Sequence, residues 1–336
     1  MNLSFPFSLK HIALVKIAIA VFNNSEIKVL IQEQRTDGIL ILNSFECQQE
    51  MFEKLMRKLS NVNLPFILKK KVAWSIIPIA NEFEYWRAEH IFLTEDNDTD
   101  YQCFICWRSF GMIDWQKTAK NLIQNKMLDT TKRFLLSCLY NFKDDVFNIW
   151  NEMSASQKEC ILQDKEFSIV EHWIMWLKHG IEIHWAHLLR NYVASSHQFF
   201  HETPFSLSCF SPELTTNDKQ EYFRYHIRNS AVCNDDLLVY IHQMEPNERM
   251  RSCREHVYHI LFFHLEWPFQ DRFMHMANSM WKYLRKEEFL YLFLYLTAKL
   301  QKMRRDFDYS TLAQEFWQAS PAHFKEFVRN VLRPRL

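Results

Sequence analysis

Trp107-Arg108-Ser109-Phe110-Gly111-Met112-Ile113-Asp114-Trp115, running on to Asn121-Leu122-Ile123, is echoed by Trp176-Leu177-Lys178-His179-Gly180 through Trp185 to Asn191-Tyr192-Val193. The Trp-to-Gly spacing is the same in both copies, and one residue is inserted after the glycine. Self-similarity of this kind marks repeat architecture, which governs the fold before any local propensity does. Working outward, Asp144-Asp145-Val146-Phe147 returns as Asp235-Asp236-Leu237-Leu238, with Met153 and Met244 at matching distances beyond. Ala155 and Pro246 then fall at the first position of a helix, where proline loses nothing by lacking an N–H. Ser154 and Glu245 become N-caps, and Gln157 and Glu248 take the third position, from which a side chain closes a capping box. A third echo joins Asp114-Trp115-x-x-Thr118-Ala119 to Asp308-Tyr309-x-x-Leu312-Ala313, an acidic N-cap followed by an aromatic that packs back on the preceding helix.

Glycine is almost missing. The chain has 3 in 336 residues, where average usage gives about 23. Hairpin turns and phosphate-cradling loops both depend on glycine, so a strand-rich fold cannot be built in the usual way, and the positions of the three glycines exclude the Rossmann fingerprint, the P-loop and the Gly-x-Ser-x-Gly elbow. Gly111 and Gly180 follow apolar runs (residues 101–110 and 167–179) and read as left-handed helix C-caps. Helical periodicity covers residues 7–22, 48–59 and 64–80, with Pro78 expected to end or kink the last of these. Ser211-Pro212 and Ser320-Pro321 read as helix starts, and residues 94–100 as a polar loop. Residues 38–45 are a local strand candidate that lacks a partner and is expected to be an extended connector. Residues 287–300 are apolar around the whole circumference and are expected to be sandwiched between other helices.

The fold expected is therefore all-α, an irregular array of antiparallel helix pairs stacked as an α-solenoid. Residues 1–95 form an N-terminal helical capping region, and residues 96–336 one continuous helical repeat array. The Trp-x3-Gly-x3-4-Trp element, the Asp-Asp element and the opening Phe5-Pro6-Phe7-Ser8-Leu9-Lys10-His11 resemble a large family of uncharacterised arachnid proteins across most of the chain. More distantly, the glycine-to-aromatic spacing resembles degenerate ankyrin repeats and the helical multigene families of large DNA viruses. The resemblance implies a degenerate ankyrin-like scaffold and no assigned activity.

Charge is balanced, 40 basic against 40 acidic side chains, which disfavours nucleic acid as a partner. The longest apolar run is far short of a membrane span. Without a recognisable signal peptide, the scattered cysteines read as reduced thiols of a cytoplasmic or nuclear protein. Cys103-x2-Cys106 has zinc-ligand spacing but no second pair, and reads as two core thiols one helical turn apart. His197 and His201, His184 and His187, and His256 and His259 share helix faces. A metalloprotease pair needs Glu beside its first histidine, where this chain has Gln198. Asp144-Asp145 and Asp235-Asp236 suit helix N-termini, where the macrodipole favours negative charge. Lys69-Lys70-Lys71 and residues 299–305, with Arg329, Arg333 and Arg335, read as solvated faces. Trp115, Trp150, Trp173, Trp176 and Trp185 read as packing between helices.

No catalytic, cofactor-binding or metal-binding residue is assigned, and no cofactor is expected. The function these features point to is a non-catalytic protein-interaction module with a protein partner. The alternatives are a metal-dependent or histidine-based hydrolase in the His-rich middle, and RNA binding through the C-terminal basic face.

Overall fold

The computed structural model describes residues 7–33, 35–36, 39–40, 45–94, 100–163, 168–188, 207–229, 234–302 and 305–333. Helices account for nearly all of the regular structure. In chain order they are α1 Leu9–Phe22, α2 Ser25–Gln32, α3 Phe45–Lys58, α4 Phe66–Glu89, α5 Ile91–Thr94, α6 Trp115–Gln124, α7 Thr130–Leu139, α8 Lys143–Glu152, α9 Ala155–Gln163 and α10 Ser168–His179. Residues 185–188 are also helical. Then follow α11 Thr216–Asn229, α12 Asn234–Gln243, α13 Pro246–Glu255, α14 Val257–Phe263, α15 Gln270–Met280, α16 Lys286–Gln301, α17 Tyr309–Ala319 and α18 Ala322–Leu332. The contacts divide the chain into two compact units. One comprises Met1–Glu84, Ser109–Met112 and Pro246–Leu336, the other Tyr85–Arg108 and Ile113–Glu245.

The Asp-Asp echo holds at three helix boundaries. α8 and α9 span 143–152 and 155–163; α12 and α13 start and break at the corresponding positions, 234–243 and 246 onward. Met153 and Met244 are both buried, as are Val146 and Leu237. The Ser154 capping box is closed: the Ser154 N–H donates to Gln157 Oε1 at 3.0 Å, and the Gln157 N–H donates to Ser154 Oγ at 3.3 Å. The Asp-aromatic echo holds as well. Asp114 accepts the Lys117 N–H at 3.1 Å and Asp308 the Thr311 N–H at 3.1 Å. Trp115 and Tyr309, the first residues of α6 and α17, are both buried.

The tryptophan-glycine echo holds only in part. Gly180 is the left-handed cap of α10, with φ +66° and its N–H on the Trp176 carbonyl at 2.9 Å. Gly111 is not a helix cap. Residues 101–104 form a single 3-10 turn, after which the chain runs extended, with Trp107 bridging antiparallel to Ile113. Gly111 (φ +105°) lies in the loop between those two bridge partners. Trp107 is thus in extended chain, whereas Trp176 is in a helix. Trp115 and Trp185 nevertheless both open helices and are both buried.

Tertiary contacts override local signals elsewhere. Pro78 does not end α4, which continues to Glu89. Val72, Ala73, Ile76, Ile77, Ile79 and Ala80 around it are all buried, and burial of that many apolar groups outweighs the roughly 3 kcal/mol that an interior proline costs. Ile39–Leu40 is not an unpartnered connector; it pairs with Arg35–Thr36 in a short antiparallel ladder. Pro212 lies inside a 3-10 segment, Leu207–Glu213. The next helix is capped instead by Thr215, which exchanges hydrogen bonds with Asp218. Pro321 is itself the N-cap of α18, one position earlier than the first helical residue.

Each unit has an aromatic core. In the first, Phe289 stacks on Phe324 at 4.7 Å and on Phe316 at 4.9 Å, and Phe316 meets Phe273 at 5.0 Å. The loop residue Phe110 stacks on Phe7 at 4.6 Å, with the Arg272 guanidinium 3.7 Å from the Phe7 ring centre. In the second unit, Trp173 meets Trp185 at 5.3 Å, and its indole N–H donates to the Cys138 carbonyl at 3.2 Å. There too His90 is fully buried. The Trp86 carbonyl can only accept, so Nδ1 carries the proton and donates to it at 2.8 Å. Nε2 then accepts the Tyr140 hydroxyl at 2.8 Å. Burial lowers the His90 pKa to about 3, and that of His264, also buried, to about 4. Both rings are neutral packing elements.

Candidate functional site

The site with the most structure lies on the helix whose apolar circumference pointed to full enclosure. α16 buries one face only, through Phe289, Leu292 and Leu296. Tyr291 is 59% exposed and Leu294 40%. The expectation that this helix is sandwiched is therefore incorrect. Phe289 and its partners fill the available core, and the opposite stripe is left at the surface.

That stripe runs alongside α14. Side chains four residues apart share a helix face, and two such series meet here. On α14 and the turn after it stand Tyr258, Phe262 and Glu266; on α16 stand Tyr291, Tyr295 and Lys299. They meet pairwise, Tyr258 with Tyr291 edge-to-face at 6.5 Å and Phe262 with Tyr295 at 4.5 Å. The third pair is ionic, Lys299 Nζ to Glu266 Oε2 at 2.8 Å. The result is a strip of rings, half-buried to exposed, closed at one end by a charge pair.

The closed end is saturated with hydrogen bonds. Glu266 also accepts the Tyr295 hydroxyl. The Lys299 ammonium lies 5.0 Å from the Tyr295 ring centre and 5.3 Å from that of Tyr309. The Tyr309 hydroxyl donates to Asp306 Oδ2 at 2.9 Å and accepts from Gln270 Nε2 at 3.1 Å. Burial and the Asp306 carboxylate push the Tyr309 hydroxyl pKa up. Burial and Glu288 push that of Tyr258 up as well. Both phenols stay protonated. Lys299, expected on an open basic face, is thus consumed inside the protein, and Arg329 lies over the Trp317 ring at 5.9 Å. Arg304 and Arg335 are outside the described residues. The arrangement suits recognition of another surface, since its polar groups already satisfy one another.

The structure does not bring the other candidates together. Cys103 is exposed in the 3-10 turn and Cys106 half-buried in extended chain, so they are not one-turn neighbours in a helical core. Asn121 Nδ2 donates to the Cys106 sulfur at 3.0 Å. Among the described residues no group of three or more His, Cys, Asp or Glu is placed to hold a metal ion. His184 and His187 are exposed, and the His256 and His259 rings are 6.3 Å apart. His197, His201, Cys233 and residues 191–193 are outside the described residues. Asp144 and Asp145 stand in the first turn of α8, and Asp145 pairs with Lys120. Trp115, Trp150, Trp173 and Trp185 are buried packing residues, whereas Trp176 is 36% exposed. No helix among the described residues is long and apolar enough to cross a membrane.

Reading composition alone misses the strip. Its signal is the i, i+4, i+8 series on each helix, which shows only once the two helices are known to be neighbours. No family model, curated protein or solved structure matches the chain.

Proposed function

We propose that this chain is a non-catalytic protein-interaction module on a helical-repeat scaffold of stacked, degenerate ankyrin-like helix pairs. Its docking surface is the α14–α16 strip, and its partner a protein. The observation that carries this reading is the exposure of Tyr291 and Leu294 beside Tyr258, Phe262 and Tyr295. Tyrosine-rich patches with rigid, amphipathic rings supply a large share of binding energy at protein interfaces. The matched boundaries of α8–α9 and α12–α13 support the repeat scaffold. The free thiols among the described cysteines suit a reducing compartment, cytoplasm or nucleus.

The test is affinity capture on the immobilised full chain, followed by titration of each purified partner against Tyr291→Ala and Leu294→Ser. Hot-spot truncation weakens binding by roughly 30-fold or more, while the melting temperature stays near wild type because both side chains are exposed. A purified partner that binds both variants as well as wild type would remove the strip from the reading.

A further inference from the structure

A second surface in the same unit has a different chemistry. The chain is neutral overall, yet no Asp or Glu occurs before Glu26, nor between Glu53 and Glu82. Those two acid-free stretches contain the start of α1, the loop before α4 and the first turns of α4. Lys54 and Lys58 are neutralised by Glu50 and Glu26, at 2.7 and 2.8 Å. Lys10, Lys69, Lys70 and Lys71 have no carboxylate partner among the described residues. Lys69 Nζ donates to the Ser60 carbonyl at 2.7 Å, and Lys70 Nζ lies 4.6 Å from the Phe66 ring centre. The neighbouring Lys10 ammonium lowers the pKa of Lys71. α1 also touches α4 directly, Phe22 meeting Phe83 edge-to-face at 5.8 Å.

The apolar residues of this surface are unusually bare. Leu9 is 85% exposed, Ile67 68% and Phe66 63%, with Leu68 and Val62 also exposed. Consecutive Phe-Ile-Leu facing water costs free energy unless something covers it. Large exposed apolar side chains flanked by lysines match an interfacial contact. The side chains enter the headgroup–acyl boundary, and the ammonium groups stay at the phosphates. A nucleic acid would use the lysines and the Phe66 ring but gain little from Leu9 and Ile67.

We infer that the surface formed by Leu9, Lys10, Val62, Phe66, Ile67 and Lys69–Lys71 docks on an anionic phospholipid bilayer, lying on it without spanning it. Two close, unneutralised ammonium groups, those of Lys10 and Lys71, gain most from a phosphate or carboxylate placed between them.

The test is co-sedimentation of the full chain with vesicles of phosphatidylcholine alone and of phosphatidylcholine containing about 30% phosphatidylserine. Binding is expected only to the anionic vesicles and falls steeply between about 50 and about 300 mM salt. Lys70→Glu with Lys71→Glu should lower partitioning by about tenfold or more. Phe66→Ser with Ile67→Ser should lower it comparably while preserving the salt dependence. These side chains are exposed, so circular dichroism and melting of the variants should match wild type, which separates lost docking from lost folding. Equal sedimentation with both vesicle types, or none with either, overturns the inference. So does binding to an RNA oligonucleotide or an acidic protein that the lysine variants lose while anionic vesicles stay unbound.

Discussion

His90 offers the sharpest test of the packing described here. Its ring is fully buried with both nitrogens engaged, Nδ1–H on the Trp86 carbonyl and Nε2 under the Tyr140 hydroxyl. Protonation puts a second N–H against a hydroxyl that then loses its own acceptor, in a setting without water to solvate the charge. The folded pKa is about 3 against an ordinary 6.5. The unfolded chain therefore binds a proton between those values that the folded chain refuses, and stability falls as pH drops below 6.5. Integrated from pH 7 to pH 5, the loss is about 2 kcal/mol for this one ring. That is a sizeable share of the roughly 5–15 kcal/mol that holds a typical protein folded. The measurement is urea denaturation at both pH values, by circular dichroism and tryptophan fluorescence, for wild type and His90→Gln. The variant's own cost cancels in the difference between pH values. The acid-induced loss should shrink by about 2 kcal/mol in the variant. An unchanged pH dependence would mean that the ring titrates freely and is not held as described.

Four further outcomes are expected. Glu89 is raised to about 7 by burial; the proton it holds stabilises the fold below its unfolded pKa of 4.5, and that stability is lost as pH rises through 7. Glu89→Gln should accordingly stabilise more at pH 7 than at pH 5, by about 2 kcal/mol in urea titrations. Trp115→Ala should cost roughly 3–5 kcal/mol by the same titration, since the ring is buried against Tyr85 and His90. Gly180→Ala should cost about 1–2 kcal/mol, because its φ is left-handed and a Cβ there meets nothing within 4 Å. Gly111→Ala should cost more in the same urea titration, since its Cβ would lie 3.2 Å from the Trp267 ring.

What the sequence determined by itself was local. Near-absence of glycine implied helices, and helices are what form. Capping chemistry acts over three or four residues, so Ser154/Gln157, Asp114 and Asp308 were legible as helix starts, and the paired boundaries of α8–α9 and α12–α13 followed from them. Left-handed backbone at Gly180 was legible for the same reason. Tertiary structure decided whatever depended on neighbours distant in sequence. A buried environment carried α4 through Pro78. The apolar run of residues 101–110 became a turn and an extended bridge, since Trp107 found Ile113 across the Gly111 loop. The uniform hydrophobicity of α16 did not reveal which face would be covered; the Phe289–Phe316–Phe324 stack chose one face and left Tyr291 and Leu294 outside. His90, Glu266 and Lys299 acquire their chemistry from partners up to 50 residues away, Tyr140 for the first. A pKa or a docking surface is set by those contacts and by the water they exclude, which no local pattern specifies.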